Sequence, residues 1–380
     1  ELGTQLTRQG LGFPQYSNDD VVIPGLTALG YSLEDARNYA IAACWEFIIP
    51  KRGMEIVNID ALSFAGTARA AIADHLMDSP DYPSLFAHVC QEIRREASRI
   101  CAGIGTVYLY PAPFLSLMME GCLENGRDLS EGCIYNNYGI HGTGLATAAD
   151  SLAAVQAYVY GDGSVSKEAL LKAMEEDFEG QPVLLHKLRF NAPKMGNDDN
   201  RADQIACGLL AAFSSSLEGC RNDRGGCFRA GTGSAMYYLW HAKNLGATPD
   251  GRRAGEPIPA NFSPSLFCRC AGPVSVVKSF SKPDLTRTVN GGPLTIELHD
   301  TLFRTPDSIS KVASLIRSYI LLGGHQIQIN AVNRDRLLDA QNHPEQYRNL
   351  IVRVWGWSGY FVELDREYQD HIIRRMELTL

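Results

Sequence analysis

Cys44 and Glu46 are the first residues in the sequence whose types and spacing could do chemistry. They stand two residues apart in a stretch that is typical of a strand, and alternate side chains of a strand face the same side. Burial disfavours the charged form of a carboxyl group, so a buried glutamate beside a thiol is expected to have a raised pKa and to donate or accept a proton. The same residues would also suit a buried cysteine followed by an ordinary carboxylate.

Gly356 is the second candidate, because it lies between two tryptophans near the end of the chain. The stretch around it, residues 353–361, follows a strand-like run at 350–352 and precedes a helix-like segment from Arg366 to Glu377. A glycine in a strand usually marks a bulge, a sharp turn or the close approach of another backbone. Taken alone, the stretch predicts a tight glycine turn.

His141 lies in a glycine- and asparagine-rich stretch, residues 136–144, which predicts a loop that leads into a helix. Such a loop could cradle a phosphate at the helix N-terminus. It lacks the Lys-Ser/Thr of a P-loop, however, and its glycine spacing is not that of the dinucleotide fingerprint. The pattern therefore favours a helix N-terminus packed closely on another backbone, with His141 either an acid–base group or a structural hydrogen-bonding residue.

The remaining polar clusters give little support to metal binding. The aspartates at 198, 199 and 203 do not have the spacing of a calcium-binding loop, and turn and helix-capping roles explain them. The ten cysteines form no CxxC pair, and Cys268 and Cys270 are the two closest in sequence. We therefore expect no metal in this chain and mostly reduced, buried cysteines, with disulfides as the alternative.

The composition is that of an ordinary globular protein, with 380 residues, 45% of them hydrophobic and 21% charged. The net charge is -8 and no basic tract stands out, so nucleic acid is not an expected partner. The sequence shows no apolar run long enough to span a bilayer and no signal peptide at its start, so we expect no membrane contact and a reducing cytoplasmic location. The first residue is Glu1 and not a methionine, which suggests a processed, split or partly ordered chain.

Helices and strands alternate along most of the sequence. A capping box at Ser32 predicts a short helix, and the run from His325 to Asn330 alternates like a strand. Residues 108–117, with two prolines, predict a strand and a connection. Helical spacing occurs at residues 62–77, 83–104, 145–160, 167–178, 201–217 and 308–322. This order predicts an α/β fold with parallel strands covered by helices.

The two candidate stretches together resemble the signatures of the glycyl radical enzymes. Residues 353–361 (RVWGWSGYF), followed by residues 369–375 (QDHIIRR), are similar to the family's pattern around its radical glycine. Residues 43–46 (ACWE) resemble the radical-cysteine motif of the eliminase branch, which has the form GCVE. The roughly three hundred residues between Cys44 and Gly356 are close to the family's separation, and further similar stretches cover nearly the whole chain.

This resemblance implies the C-terminal half of a ten-stranded α/β barrel, which is built from two antiparallel halves of five parallel strands each. Residues 1–340 would form the half barrel that carries the cysteine, and residues 341–380 would form a detachable glycyl radical domain. The N-terminal half would be a separate chain or segment, because half a barrel leaves open strand edges and uncovered apolar surface. We also expect a homodimer.

The resemblance further implies radical chemistry. An activating enzyme with an iron–sulfur cluster and S-adenosylmethionine would remove a hydrogen atom from Gly356, and this chain itself would bind no cofactor. Gly356 would take hydrogen from Cys44, and the resulting thiyl radical would abstract hydrogen from a small polar substrate such as a diol, a hydroxylated amino acid or an amino alcohol. Elimination of water, an amine or a similar group would follow, assisted by Glu46. The expected substrate-binding residues are Asn58, Asp60, His141 and Asn330, with His325 as a further candidate; a turn or capping role is the alternative for Asp60.

Several positions depart from the family's pattern. Ala43 replaces a glycine, Trp45 a valine and Trp357 a tyrosine, and these bulkier residues predict an unusual pocket. A single cysteine, where pyruvate formate-lyase has two adjacent ones, disfavours acyl transfer to coenzyme A. Two alternatives to a dehydratase or a C–N or C–S lyase remain: an arylacetate-type radical decarboxylase, and a non-catalytic subunit that supplies a spare radical domain. The Cys-x-Glu motif argues against the spare subunit, which would need only the glycine end.

Overall fold

The structure is a computed structural model, and it describes residues 1–10, 13–105, 107–375 and 377–378. Its strands are β1 (Tyr16–Ser17), β2 (Ala40–Ala42), β3 (Glu46–Ile48), β4 (Ile56–Ser63), β5 (Tyr138–Thr143), β6 (Phe228–Gly231), β7 (Leu294–His299), β8 (Gln326–Val332), β9 (Ile351–Arg353), β10 (Ser358–Tyr360) and β11 (Glu377–Leu378). Its helices are α1 (Leu2–Thr7), α2 (Asp19–Ala28), α3 (Leu33–Arg37), α4 (Phe64–His75), α5 (Tyr82–Gly103), α6 (Pro113–Ser116), α7 (Cys122–Asn125), α8 (Leu129–Gly132), α9 (Leu145–Val155), α10 (Lys167–Glu175), α11 (Pro182–His186), α12 (Asn200–Leu217), α13 (Tyr237–Asn244), α14 (Pro273–Phe280), α15 (Pro306–Leu321), α16 (Arg334–Asn342) and α17 (Arg366–Arg374).

Parallel strands form the frame of the fold. In one sheet β5 lies between β4 and β6, and all three run parallel. In the other sheet β7 and β8 run parallel, with β1 antiparallel to β8 and β11 parallel to β7 at the edges. The two sheets are joined where Asn290 donates to the carbonyl of Ala230 and Thr232 donates to that of Gly291. Across the described residues, β4 to β8 therefore follow one another as five parallel strands, an arrangement expected for half of a barrel.

The helices pack against these strands, and their sequences explain them. α5 begins after Asp81, whose carboxylate accepts from the backbone N–H of Ser84, and α3 is capped in the same way by Ser32, as predicted. The buried residues of α5 repeat along one side of the helix: Leu85, Val89, Ile93, Ala97 and Ile100. Each of the six predicted helices is present, in chain order α4, α5, α9, α10, α12 and α15, and α9 continues into a π-helical stretch, Gln156–Gly161. Within the described ranges, no helix combines the length and the apolar character that crossing a membrane requires.

The predicted loop at 136–144 is instead largely the buried strand β5, so the prediction was wrong. Close packing on both sides explains the difference. A Cβ at Gly139 would overlap the side chain of Asn290, and a Cβ at Gly142 would overlap the ring of Phe64. Glycine is therefore needed here for the approach of neighbouring groups, and tertiary packing outweighs the low strand propensity of glycine.

The helix after β5 begins where the sequence predicted. Gly144 has a left-handed backbone (φ 70°) and leads into α9. A Cβ at Gly144 would lie 3.2 Å from the Cβ of Ala65 on α4. The N-terminus of α9 is thus packed closely against another element, which favours the packing interpretation of this stretch over a phosphate cradle.

Two further element predictions were wrong. Residues 108–117 contain no strand; α6 begins there at Pro113, where a helix start has no use for the N–H that proline lacks. The last helix, α17, ends at Arg374 and not at Glu377, and β11 follows beside β7. Met376 lies outside the described residues.

A small separate core joins the C-terminal elements. β9 and β10 form an antiparallel hairpin, which we call the C-terminal hairpin (residues 351–360), with Arg353 opposite Ser358. It packs with α16 and α17 around a cluster of buried side chains: Leu337, Ala340, Val352, Val354, Phe361, Ile372 and Ile373. The predicted boundary between residues 340 and 341 falls inside α16, and the division of the chain into two domains stays a prediction.

Candidate active site

Cys44 lies at the tip of a second hairpin. β2 and β3 pair antiparallel with Ala42 opposite Glu46, and we call residues 40–48 the cysteine hairpin. Ala43 has a left-handed backbone (φ 48°), a conformation that glycine adopts more easily. The sequence prediction of a strand at Cys44 was therefore wrong, because the strands end on either side of it. The turn presents the thiol half-buried.

Gly356 lies at the tip of the C-terminal hairpin, where the N–H of Val354 donates to the carbonyl of Trp357 at 2.9 Å. The two hairpins meet tip to tip. A Cβ added to Gly356 would overlap the Cβ of Cys44 and lie 2.6 Å from its Sγ. A glycine in such a stretch was expected to admit the close approach of another group, and that group is Cys44. The two candidate residues from the sequence are therefore in contact.

Trp45 connects the two hairpins. Its indole Nε1–H donates to the carbonyl of Trp355 at 2.5 Å, and the side-chain amide of Asn261 donates to the same carbonyl at 3.0 Å. The guanidinium of Arg353 lies over the indole, 4.8 Å from the ring centroid. The bulky side chain that predicted an unusual pocket is therefore packed against the C-terminal hairpin.

Glu46 is held by three hydrogen bonds, and only 2% of its surface is exposed. Its Oε2 accepts from the backbone N–H of Cys44 at 3.0 Å and from that of Trp45 at 2.9 Å. Its Oε1 lies 3.0 Å from Nε2 of His141, a residue that is 1% exposed. Two candidates that the sequence placed on different elements are therefore paired next to Cys44.

The pKa of Glu46 is lowered, and the prediction of a raised pKa was wrong. Burial by itself raises the pKa, but the hydrogen bond and charge of His141, together with backbone N–H groups, outweigh burial. Glu46 is therefore a carboxylate at neutral pH and can accept a proton.

The Cys44 thiol shows the opposite balance. Burial raises its pKa to about 12, the neighbouring charge of Glu46 adds to this effect, and the charge of Arg353 opposes it. A thiol with such a pKa keeps its hydrogen at neutral pH. The site thus holds a protonated thiol beside an ionised carboxylate.

His141 is positioned by the middle of β5. The strand register sets it beside Ala61 on β4 and Gly231 on β6. A Cβ at Gly231 or at Gly233 would lie 2.9 Å from Nδ1 of His141, so the absence of a side chain at these two glycines leaves space for the imidazole ring. This Nδ1 is buried and has no hydrogen-bond partner within the described part of the chain.

Two buried amides that the sequence analysis missed hold the hairpins in place. Gln326 donates to the carbonyl of Trp45 and accepts from the N–H of Gly292, both at 2.8 Å. Asn261 connects Trp355 to Ser234. Its side-chain amide donates to the carbonyl of Trp355, and its backbone N–H donates to the hydroxyl of Ser234 at 2.9 Å. Gln326 could have been identified from the sequence, because it is one of the polar residues of the strand that was predicted after residue 324. No local pattern marks Asn261.

The predicted substrate-binding residues Asn58 and Asp60 both lie on β4. Asn58 is exposed. Asp60 accepts from the N–H of Ala61 and lines a cavity of about 510 Å³ together with Arg99 and His241. Neither residue is hydrogen-bonded to the cysteine hairpin in the part of the chain that the structure describes, and their roles in substrate binding stay predictions.

Asn330 belongs to a buried polar chain. Its side-chain amide donates to Glu297 at 2.9 Å and accepts from that of Gln328 at 3.1 Å. Glu297 also pairs with Arg375 at 3.0 Å, and Arg375 donates to the carbonyl of Arg353 at 2.8 Å. This chain ties β7 and β8 to the C-terminal hairpin. Substrate binding by Asn330 stays a prediction.

His325 is fully buried, with Nε2 at 3.4 Å from the hydroxyl of Thr232, and burial lowers its pKa to about 3. In the described ranges, no group of three or more His, Cys, Asp or Glu side chains is arranged to hold a metal ion. Asp199 instead caps α12, as the turn interpretation predicted. All ten cysteines are free, and the sulfurs of Cys268 and Cys270 lie 3.2 Å apart.

The chain matches two protein-family models. Residues 3–70 and 98–240 match the pyruvate formate lyase-like model, and residues 260–362 match the glycine radical model. The stretches that match the first model make up more than half of the chain.

Curated relatives include the trans-4-hydroxy-L-proline dehydratase of Clostridioides difficile, which is 30% identical over 99% of this chain and 50% of the relative. The (2S)-3-sulfopropanediol dehydratase of Klebsiella oxytoca is 28% identical over 98% of this chain and 48% of the relative. The chain thus spans about half the length of these relatives.

Among solved structures, the glycerol-bound B12-independent glycerol dehydratase of Clostridium butyricum superposes with a TM-score of 0.95 at 31% identity, covering 100% of this chain and 50% of that one. The hydroxyproline dehydratase of C. difficile with its substrate bound gives 0.87 at 28% identity, with the same coverage. These superpositions confirm the predicted fold class, half of an α/β barrel of this type.

Proposed function

Because the chain belongs to the pyruvate formate lyase-like family of glycyl radical enzymes, we propose that it is the C-terminal half of an anaerobic glycyl radical lyase. The contact between Gly356 and Cys44 carries this proposal, since a hydrogen atom passes directly only between groups that touch. The contact also argues against a spare radical subunit, which would need no cysteine at this place.

In the proposed reaction, Gly356 stores the radical on its α-carbon. Glycine suits this role because its Cα can become planar and share the unpaired electron with both flanking peptide groups, which a Cβ would hinder. Gly356 then takes the hydrogen atom of the Cys44 thiol: the S–H bond breaks, the Cα–H bond forms and the radical moves to sulfur. The raised pKa of Cys44 supports this step, because the thiol and not the thiolate carries the hydrogen atom.

The Cys44 thiyl radical next abstracts a hydrogen atom from a substrate carbon that bears a hydroxyl group. Glu46 accepts the proton of that hydroxyl, and a hydroxide leaves the adjacent carbon with its bonding electrons. The proton held by Glu46 then joins the hydroxide, so that water is released. The product radical recovers a hydrogen atom from Cys44, and Gly356 returns its own hydrogen atom to sulfur and is a radical again.

The pairing of Glu46 with His141 supports the role of Glu46 as the base. Its lowered pKa keeps it ionised at the start of each cycle, and its three hydrogen bonds fix the carboxylate next to Cys44. We assign His141 to holding this carboxylate, in addition to the substrate contact that the sequence predicted.

The proposed substrate is a small molecule whose leaving group, a hydroxyl or a comparable group, lies next to a carbon that bears a hydroxyl or an amine group. Support comes from the named relatives, which are dehydratases of hydroxyproline and sulfopropanediol. A radical decarboxylase is the second candidate, because the indoleacetate decarboxylase of Tractidigestivibacter scatoligenes is 26% identical over 98% of this chain. An arylacetate would, however, offer Glu46 no hydroxyl proton.

The proposal includes partners for this half barrel. The other half, as a further segment or a separate chain, would cover the exposed side of the cysteine hairpin at Ile41 and Ala43. A radical S-adenosylmethionine enzyme with an iron–sulfur cluster would install the radical on Gly356. We propose that the complete protein is a homodimer in a reducing cytoplasm.

Electron paramagnetic resonance of the anaerobically activated full-length protein tests the proposal. We expect a doublet from the one α-hydrogen that remains on the Gly356 radical, no signal in Gly356→Ala, and a signal without turnover in Cys44→Ser. Assays with glycerol, 1,2-propanediol, trans-4-hydroxy-L-proline and indoleacetate separate dehydration from decarboxylation. A doublet that persists in Gly356→Ala, or turnover by Cys44→Ser, would refute the assignment.

A further inference from the structure

We propose that Trp45 is a positioning residue, whose indole N–H holds the carbonyl of Trp355 and thereby keeps Gly356 seated on Cys44. The consequence for radical transfer rests on the proposed function above. The hold itself is a property of the folded chain, and it can be measured without any radical.

The position of the accepting carbonyl carries the inference. The carbonyl of Trp355 belongs to the peptide group that leads directly into Gly356. It accepts from two side chains, the indole of Trp45 at 2.5 Å and the amide of Asn261 at 3.0 Å. Two donors from outside the hairpin thus converge on the peptide bond next to the radical position, and Trp45 is itself the neighbour of Cys44.

The backbone of Trp45 is itself held by hydrogen bonds, so the indole has a fixed position relative to the cysteine hairpin. Its backbone N–H donates to Glu46 at 2.9 Å, and its carbonyl accepts from Gln326 at 2.8 Å. The residue is 2% exposed. Its N–H is thus held by Glu46, which is itself paired with His141 on β5, and its carbonyl is held by Gln326 on β8. With its backbone fixed in this way, the indole transmits the position of the cysteine hairpin to Trp355.

A second contact strengthens this connection. Arg353 belongs to the same hairpin as Gly356, and its guanidinium lies 4.8 Å from the centroid of the Trp45 ring. Trp45 therefore touches the C-terminal hairpin on both sides of Val354, by a hydrogen bond at Trp355 and by a cation–π contact at Arg353. A side chain without an N–H could supply the packing but not the hydrogen bond.

Leaving Cys44 requires this hydrogen bond to break, because Trp355 moves with Gly356. Loss of the indole N–H would leave the carbonyl with Asn261 alone. A buried hydrogen bond contributes about 1 kcal/mol, so removal of this one should raise the opened fraction of the hairpin about fivefold.

Amide hydrogen exchange of the full-length protein, without activation, tests the hold. In Trp45→Phe we expect residues 354–359 to exchange at least about fivefold faster than in the unaltered protein, because this variant loses the hydrogen bond and part of the packing. The amides of β5 should keep their rates, which would show that the barrel is folded. The matched control is Trp240→Phe, at an exposed tryptophan on α13, and it should change neither segment.

Replacement of Trp45 alone by 3-benzothienylalanine separates hydrogen bonding from packing. This residue keeps the shape of the indole and exchanges its N–H for sulfur. Faster exchange at 354–359 in this variant supports the proposal. Exchange as slow as in the unaltered protein overturns it, because packing would then be enough to hold the hairpin.

Activated protein gives a second measurement. A positioning role predicts faster installation of the radical in Trp45→Phe, because Gly356 is released more often, together with a lower kcat at unchanged KM. A kcat equal to that of the unaltered enzyme overturns the positioning role. Absence of any radical in the unaltered protein would instead refute the proposed function and leave the hydrogen-exchange result to decide on the hold.

Discussion

Gly356 and Cys44 leave no room between them for one additional carbon atom, since a Cβ on Gly356 would overlap the Cβ of Cys44. Two independent requirements therefore favour a glycine at position 356. Its missing side chain lets the tip of the cysteine hairpin come into contact, and the same feature allows a planar α-carbon radical.

Gly356→Ala should destabilise the C-terminal hairpin even in protein that carries no radical. Forcing a methyl group into a filled space costs about 1–3 kcal/mol, and the tips must separate to admit it. Thermal unfolding and the hydrogen exchange of residues 354–359 measure this effect. The matched control is Gly103→Ala, where an added Cβ meets nothing within 4 Å. Equal stability of the two variants would mean that the tips do not touch.

His141→Gln should move the acid limb of the pH–activity profile to higher pH. Burial raises the pKa of Glu46, while the hydrogen bond and charge of His141 lower it, so loss of the histidine leaves burial less opposed. Glu46 is then protonated at a higher pH, and the base is lost there. Steady-state rates measured across the acid range test this. His75→Gln, at the end of α4, is the control and should leave the limb in place; an unmoved limb in His141→Gln would show that Glu46 is not the base.

Cys44 should react slowly with iodoacetamide until the pH is strongly alkaline. The reagent attacks thiolates, and burial raises the pKa of Cys44 to about 12, so the rate should increase about tenfold per pH unit below that value. Mass spectrometry of the peptide that contains Cys44, compared with free glutathione in the same tube, gives the two profiles. A plateau for Cys44 near pH 9 would contradict the raised pKa.

Mild acid should loosen α17 through His371. This residue is buried, and its Nε2 lies 3.2 Å from the carbonyl of Ile258. Burial lowers its pKa to about 3, and the nearby Arg375 adds to this. The pKa of His371 is thus lower in the folded than in the unfolded state. Its contribution to the free energy of unfolding is fully present above the unfolded-state pKa. This contribution falls as the pH drops below that value, because the unfolded segment then takes up a proton. Between pH 7 and pH 5 the loss should be about 2 kcal/mol.

Hydrogen exchange of α17 at pH 7 and pH 5, corrected for the intrinsic pH dependence of exchange, measures this loss. His371→Gln removes the titrating group and should flatten the pH dependence of α17, whatever its own stability. An equally steep dependence in this variant would assign the effect to another group, of which the buried His325 is the first to examine.

The sequence located the two ends of the site because two distant stretches, neither of them decisive alone, together resemble the signatures of one family. Those stretches are Cys44 with Glu46, and Gly356 between tryptophans. Helices such as α5 and α12 could also be predicted from the sequence, because their apolar residues repeat at helical spacing within a single element.

Other features depend on partners that are distant in sequence. β5 was predicted as a loop, because the groups that require Gly139 and Gly142 come from other elements. The pKa of Glu46 was predicted in the wrong direction for the same reason: burial was foreseen, but the hydrogen bond from His141 was not. Trp45 was interpreted as part of a pocket, since its acceptor lies 310 residues along the chain.

The tip-to-tip contact of the hairpins also bears on the order in which the protein folds. Contacts between residues so far apart in sequence form late, because closing a long loop costs entropy before the contact contributes anything. The helices α4, α5, α9 and α12, which pack within residues 64–217, can assemble earlier. We therefore expect a newly made chain to pass through a stage in which its core is built but Cys44 is still uncovered. At that stage the thiol is open to oxidation, so exclusion of oxygen during synthesis should increase the share of chains in which Cys44 stays reduced.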